Sequence, residues 1–225
     1  MRTPVPSPRL IWGVGLNYRD HAAETGRPLP TAPTLFVKSP SSVIGDGDAI
    51  ELPPVVTQPD YEGELAVVIG KRVRDVREED ALDAIAGVTI GHDVSARDHQ
   101  YTTGQWSWSK SFDTFCPLGP EVVSLDEVDI TRGLAIETRV SGEVLQSSNT
   151  SQLVFSVPYL IAWISQGCTL EPGDVILTGT PAGVGAARKP PRWLVDGDVV
   201  EITIEGIGTL RNPVVRRGSE RPSGT

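Results

Sequence analysis

The chain has 225 residues, 20 Lys+Arg against 29 Asp+Glu, and a formal net charge of −9. That length suits one domain, and the acidic balance argues against a general binder of nucleic-acid backbones, which needs a basic stripe. Two cysteines, Cys116 and Cys168, cannot build a disulfide framework or a four-thiolate zinc site, so a bound metal would take carboxylate ligands, which favour Mg, Mn or Ca.

From the N-terminus, residues 1–20 are Pro-rich and lack the apolar core of a secretory signal. The longest apolar stretch, 153–164, contains Pro158 and falls short of the ~20 residues a membrane-spanning helix needs. A soluble, cytoplasmic protein is expected, with no membrane and no nucleic-acid partner. In NYRDHAAE at 17–24, His21 and Glu24 are three apart and neighbour each other on a helical turn. A carboxylate beside an imidazole orients it and raises its basicity, as a general base requires. Surface pairs at this spacing are also common.

Three short turns recur: Gly45-Asp46-Gly47-Asp48, Pro172-Gly173-Asp174 and Asp196-Gly197-Asp198. Each precedes a β-branched run and is expected to feed a strand. The first long strand is predicted at 62–69. Glu62 and Glu64 share one face at its mouth, and two like charges that close repel unless a cation lies between them. A helix is predicted at 78–86 and a strand at 87–94. Asp93 at the end of that strand would complete a three-carboxylate oxygen site. Arg97 follows, suited to clamping a substrate carboxylate. Lys110 lies among Trp106, Trp108 and Phe112, where an ammonium can steady a developing enolate.

Strands predicted at 134–140 and 144–146 flank Ser141-Gly142, a hairpin signal. A helix is predicted at 151–166, capped by Asn149 or Thr150, with Leu153, Val157, Leu160, Ile161 and Ile164 on its apolar face. Pro158 should kink it or delay its start. A strand at 175–178 runs into TGTPAGVG at 178–185, where Gly179 and Thr180 allow close backbone approach and anion binding. No GK[ST] follows, so this is not a Walker loop. A last strand is predicted at 199–204, and the polar tail 216–225 is expected to be mobile. The fold class is mainly β with a few helices in a single body.

In this order the motifs resemble the fumarylacetoacetate hydrolase family. The matching blocks are GLNYRDHAAE at 15–24, FVKSPSS at 36–42, DYEGELAVVIGK at 60–71 and DVSARDHQ at 93–100. They continue with KSFDTFCPLGP at 110–120, PGDVILTGTPAGVG at 172–185 and GIGTLRN at 206–212. The resemblance implies a mixed β-roll of the family's C-terminal catalytic type, usually a homodimer, with a flexible lid near 16–30. It implies Mg²⁺ or Mn²⁺ (Ca²⁺ as a further option) on Glu62, Glu64 and Asp93, and a water-activating pair in His21 and Glu24. Lys110 would stabilise an enolate. Arg97, Gln100 and Thr180 would contact a small carboxylate substrate, with Lys38 beside them. Three positions depart from the family pattern: His92 where Asn is more common, and Trp108-Ser109 where many relatives have Arg-Gly. Trp108 is expected to add bulk near the substrate cavity.

Three functions remain open at this point. The leading expectation is metal-dependent C–C bond hydrolysis of an acylpyruvate-like or fumarylacetoacetate-like diketo acid. The alternative is an isomerase, tautomerase or decarboxylase acting on a 2-hydroxy-dienoate or an oxaloacetate-like acid. The third is a non-catalytic family member, against which the retained acid, base and metal motifs speak.

Overall fold

The computed structural model describes residues 3–218. Of the tail expected to be mobile at 216–225, Arg216 ends a strand, and residues 219–225 lie outside the described residues. Fourteen strands follow in chain order: β1 (Ile11–Gly15), β2 (Thr34–Lys38), β3 (Val43–Ile44), β4 (Ile50–Leu52), β5 (Pro59–Asp60), β6 (Gly63–Ile69) and β7 (Ile85–His92). Then come β8 (Ser95–Ala96), β9 (Cys116–Val123), β10 (Ala135–Val140), β11 (Glu143–Asn149), β12 (Val175–Leu177), β13 (Val199–Ile204) and β14 (Gly208–Arg216). Four α-helices are described: α1 (Arg19–Glu24), α2 (Arg97–Thr103), α3 (Trp106–Ser109) and α4 (Val157–Gly167). The mainly β expectation holds.

A seven-stranded sheet has the order β2-β1-β12-β6-β7-β9-β3, and a five-stranded sheet the order β11-β10-β13-β14-β4. Strand β6 explains why they pack. All seven of its residues are buried, so it reads as an unbroken apolar run rather than an alternating one. Leu65, Val67 and Ile69 join a core with Ile136, Val140, Ile202 and Ile204 of the second sheet. Ala66 and Val68 point the other way, into a smaller cluster with Ile11, Leu118, Val175 and Leu177. Burial on both faces removes the need for polar alternation.

The predicted hairpin forms at Ser141-Gly142. Both residues have positive φ (51° and 87°), and Val140 pairs with Glu143 across a two-residue loop. Two left-handed residues match the twist of the flanking strands. The two predicted helices differ from expectation. The first is a 3₁₀ segment, Glu78–Ala84, and its end at 85–86 is already strand β7. The second breaks into a 3₁₀ turn, Thr150–Gln152, and helix α4, which starts only at Val157. Asn149 caps the turn, accepting a hydrogen bond from the Ser151 amide. Ser156, not Asn149 or Thr150, caps the helix, accepting from the Tyr159 amide at 3.2 Å. Pro158 causes the delay: in the first turn its missing N–H costs nothing, whereas deeper in a helix it would clash.

The two sheets pack closely where β6 begins. A Cβ placed on Gly63 would lie 2.2 Å from Thr138 Oγ1 and 3.1 Å from Ile202 Cγ2. Overpacking of this kind costs about 1–3 kcal/mol. Gly63→Ala is therefore expected to lose stability in that range, read as a lowered denaturant midpoint with an unchanged slope.

Candidate active site

The β6–β7 ladder ends where the acids collect. Gly63 pairs with His92 and Glu64 with Gly91, so Glu62 and Asp93 emerge side by side. The Asp93 amide donates to the Glu62 carbonyl at 2.9 Å. Glu62, Glu64 and Asp93 are buried, each offering a carboxylate oxygen, and these oxygens lie within 4.8 Å of one another. Burial first, and then the Asp93 and Glu62 charges, push the Glu64 carboxyl well above the usual carboxylate range. Three negative groups this close, with oxygen-only donors, fit a hard divalent cation.

Cations wrap the cluster. Lys110 caps α3 and donates to Glu62 Oε2 and Ser95 Oγ, each at 2.8 Å, and to Asp93. Its ammonium lies 4.9 Å from the centre of the Phe36 ring. Burial opposes its charge, but Asp93 and Glu62 outweigh burial and raise its pKa. Lys38 donates to Asp93 Oδ1 at 2.5 Å and to the Val94 carbonyl at 3.4 Å. Arg97 opens α2. Its Nε donates to Asp60 Oδ2 at 2.8 Å, one terminal nitrogen to Gln100 Oε1 at 2.9 Å, and the other to Glu62. Burial would raise the Glu62 carboxyl, yet Arg97 and Lys110 hold it well below the usual carboxylate range.

The glycine-rich loop closes the site from the end of β12. The Gly179 amide donates to Glu64 Oε2 at 2.7 Å. This needs glycine, since φ is +102° and a Cβ would sit 2.8 Å from Asn17 Cβ. Thr180 Oγ1 donates to the Gly63 carbonyl at 3.0 Å and accepts from Gln146 Nε2 at 2.8 Å. Helix α1 lies at the rim. His21 Nδ1 is 3.1 Å from Glu24 Oε2, and Glu24 Oε1 accepts from the Gly183 amide at 2.8 Å. An imidazole donating from Nδ1 to that carboxylate leaves Nε2 with its lone pair free.

These groups surround a cavity of about 310 Å³, at the small end for ligand pockets. Among the predicted site residues, His21, Glu62, Glu64, Arg97, Gln100, Lys110 and Thr180 line it. Glu24, Asp93, Lys38 and Gly179 stand behind that lining. Lys38 and the Gly179 amide hydrogen-bond Asp93 and Glu64 respectively. Trp108 is not in the lining. It is half exposed and packs on His99 and Phe112, with ring centres 4.8 and 5.2 Å away. Trp106, two residues earlier and on the inner side of α3, lines the cavity instead, with Tyr101. His92 is fully buried, and neither ring nitrogen has a partner among the described residues. Burial, and then the Lys38 charge, push its imidazole down to about 3.

Two buried polar residues escaped the sequence reading. Asp60 accepts from Arg97 Nε, the Tyr61 amide (2.9 Å), the Gly185 amide (2.7 Å) and the Ala186 amide (3.0 Å). It thus ties Arg97 to the glycine-rich loop. Gln146 accepts from the Gly63 amide at 3.0 Å while its Nε2 binds Thr180 Oγ1 and the Pro181 carbonyl. The available signal was an acid directly before Tyr61-Glu62 and an amide inside the hairpin strand 144–146.

A family model described as the fumarylacetoacetate (FAA) hydrolase C-terminal region matches residues 10–215. The mitochondrial oxaloacetate tautomerase of Xenopus laevis is 49% identical over 214 residues, covering 94% of this chain and 67% of that protein. The crystal structure of 2-hydroxyhepta-2,4-diene-1,7-dioate isomerase from Mycobacterium marinum has a TM-score of 0.86 at 44% identity, covering 97% of this chain and 78% of the other. Fumarylacetoacetate hydrolase from Exiguobacterium antarcticum gives 0.87 at 46% identity, covering 94% and 77%. The expected cytoplasmic location is corrected by these findings, because curated relatives matched over 94% of the chain are named as mitochondrial. No helix among the described residues is long and apolar enough to cross a membrane.

Removing one member of a buried ion pair leaves the other charge uncompensated, at about 3–5 kcal/mol. Asp60→Ala, which strips Arg97 of a partner, is expected to lose stability in that range by denaturant unfolding. A loss below about 1 kcal/mol would show that Asp60 does not anchor the site.

Proposed function

Because the chain belongs to the fumarylacetoacetate hydrolase family, we propose that it is a divalent-metal enzyme that moves a proton on a small 2-oxo acid. Interconversion of the keto and enol forms of oxaloacetate is the representative reaction. The observation that carries this is the clustering of Glu62, Glu64 and Asp93 beside Lys110, with Glu62, Glu64, Lys110 and His21 lining one cavity. Hydrolysis of a C–C bond, the leading expectation from the sequence, gives way to the tautomerase/isomerase alternative. The named activities of the curated relatives and of the Mycobacterium marinum neighbour support that change.

Glu62, Glu64 and Asp93 would hold the ion, Mg²⁺ or Mn²⁺. When bound, it supplies a Lewis acid that lowers the energy of an enolate. Arg97 and Gln100 orient the substrate carboxylate, with Thr180 opposite. His21, aligned by Glu24, takes a proton from C3 at Nε2. Lys110 places a fixed positive charge near the oxygen where negative charge develops. A proton is restored at the C2 oxygen, so the product has the substrate's formula. Isomerisation of a dienoate, the activity named for the structural neighbour, would call on the same groups to move a proton over a longer conjugated chain. The segment 16–30 acts as a lid in this scheme, and its contacts support that. Arg19 donates to the Leu153 carbonyl at 2.6 Å, Ser148 to Asp20, and the Gly183 amide to Glu24. A homodimer, usual in the family, is part of the proposal.

The test is a side-by-side assay of the Mg²⁺- or Mn²⁺-loaded protein with oxaloacetate, a hydroxymuconate-like dienoate and an acylpyruvate. The expected result is accelerated tautomerisation or isomerisation without acylpyruvate cleavage. His21→Ala is expected to slow it by about 10²–10⁴-fold, the usual contribution of a general base. Cleavage of the acylpyruvate, with oxaloacetate tautomerising only at the buffer rate, would overturn the proposal.

A further inference from the structure

The buried charges of the site set a limit on what it can neutralise. With every group ionised, as a bound divalent cation would favour for Glu64, the acids Asp60, Glu62, Glu64 and Asp93 give −4, and Lys38, Arg97 and Lys110 give +3, all of them buried. The sum is −1, and a divalent cation makes it +1. That matches one substrate carboxylate. A second anionic group would need a countercharge elsewhere in the cavity, because Lys38, Arg97 and Lys110 each already pair with a buried acid and Arg97 would also serve the first carboxylate.

One residue meets that need. Arg27 lines the same cavity, just beyond α1, and its chain position is fixed by an amide hydrogen bond to the Ala22 carbonyl at 3.0 Å. Its side chain is exposed, and among the described residues it has neither an ion pair nor a hydrogen bond. Glu24, the nearest acid in sequence, is engaged by His21 and the Gly183 amide. The same lining includes the apolar side chains of Val14, Phe36, Trp106 and Val184 beside Arg27 and the carboxylates Glu62 and Glu64. A ligand bridging them therefore has an anionic head, a short carbon body and an anionic tail.

We propose that Arg27 is a specificity-determining residue that binds the distal carboxylate of a short dicarboxylic 2-oxo acid. This rests on the reading of the site given above, but it concerns recognition rather than chemistry. A guanidinium fits a carboxylate bidentately, and such charge-assisted bonds are the strong ones. Arg27 needs no rearrangement of an existing ion pair to engage. Its position at the rim of the cavity makes the interaction salt-sensitive.

The experiment compares affinities for two acids of equal length, oxaloacetate and 2-oxobutanoate, which differ only in a terminal carboxylate against a methyl. Titration calorimetry is run on the Mg²⁺-loaded wild type, Arg27→Met and Arg27→Lys. The wild type is expected to favour oxaloacetate by at least about 10-fold, the ratio that about 1.4 kcal/mol of added interaction gives. Arg27→Met is expected to abolish that preference while 2-oxobutanoate affinity changes less than about 2-fold; Arg27→Lys is expected to keep part of it. The proposal is overturned if the wild type shows no preference, if Arg27→Met keeps it, or if both ligands weaken equally. Tautomerase assays on the same samples separate the two claims. A preference lost in Arg27→Met, without any wild-type turnover, supports the distal site and refutes the catalytic reading.

Discussion

Everything in this molecule depends on holding Glu62, Glu64 and Asp93 together away from water. Three carboxylates within 4.8 Å repel one another, and burial increases the repulsion because the local dielectric falls. The fold answers with geometry and with countercharge. The β6–β7 ladder delivers Glu62 and Asp93 to one end of the sheet, and Lys110 bridges them. Arg97 and Lys38 close the flanks. Among the described residues Glu64 receives only a backbone amide from Gly179, so burial and the Asp93 and Glu62 charges leave its ionisation opposed. A divalent ion would relieve that opposition directly.

The supporting shell makes the arrangement rigid. Asp60 joins Arg97 to the loop at Gly185, and Gln146 joins the start of β6 to Thr180. Both reach the site from segments far apart in sequence. Glu24 adds a third tie, between the His21 helix and Gly183. Helix α1, the glycine-rich loop and the strand ends that carry the clustered acids are therefore linked through side-chain acceptors, and displacing one segment would disturb the others.

Much of this was legible in the sequence where a local period or turn carried the signal. Paired acids at i and i+2, the Ser141-Gly142 turn and the doubly buried run of β6 each follow from rules that act over a few residues. The motif order also pointed to the family. What failed needed longer-range information. The helix expected from 151 starts at Val157, because Pro158 is comfortable only in a first turn. Trp108 looked like a cavity residue by proximity to Lys110, but the turn of α3 directs Trp106 inward. Asp60 and Gln146 gain their meaning from partners more than thirty residues away, which no local pattern displays. The choice between hydrolysis and proton transfer was not legible at all, since one carboxylate-lined site can serve either reaction.

Direct titration tests whether the buried acids form a divalent-cation site. Calorimetry with Mg²⁺ and Mn²⁺ should show one ion per chain in the wild type. In Glu64→Gln, which keeps shape but removes one charge, affinity should fall by at least about 10-fold, the cost of roughly 1.4 kcal/mol of lost interaction. No binding to the wild type, or equal affinity in both proteins, would contradict the account.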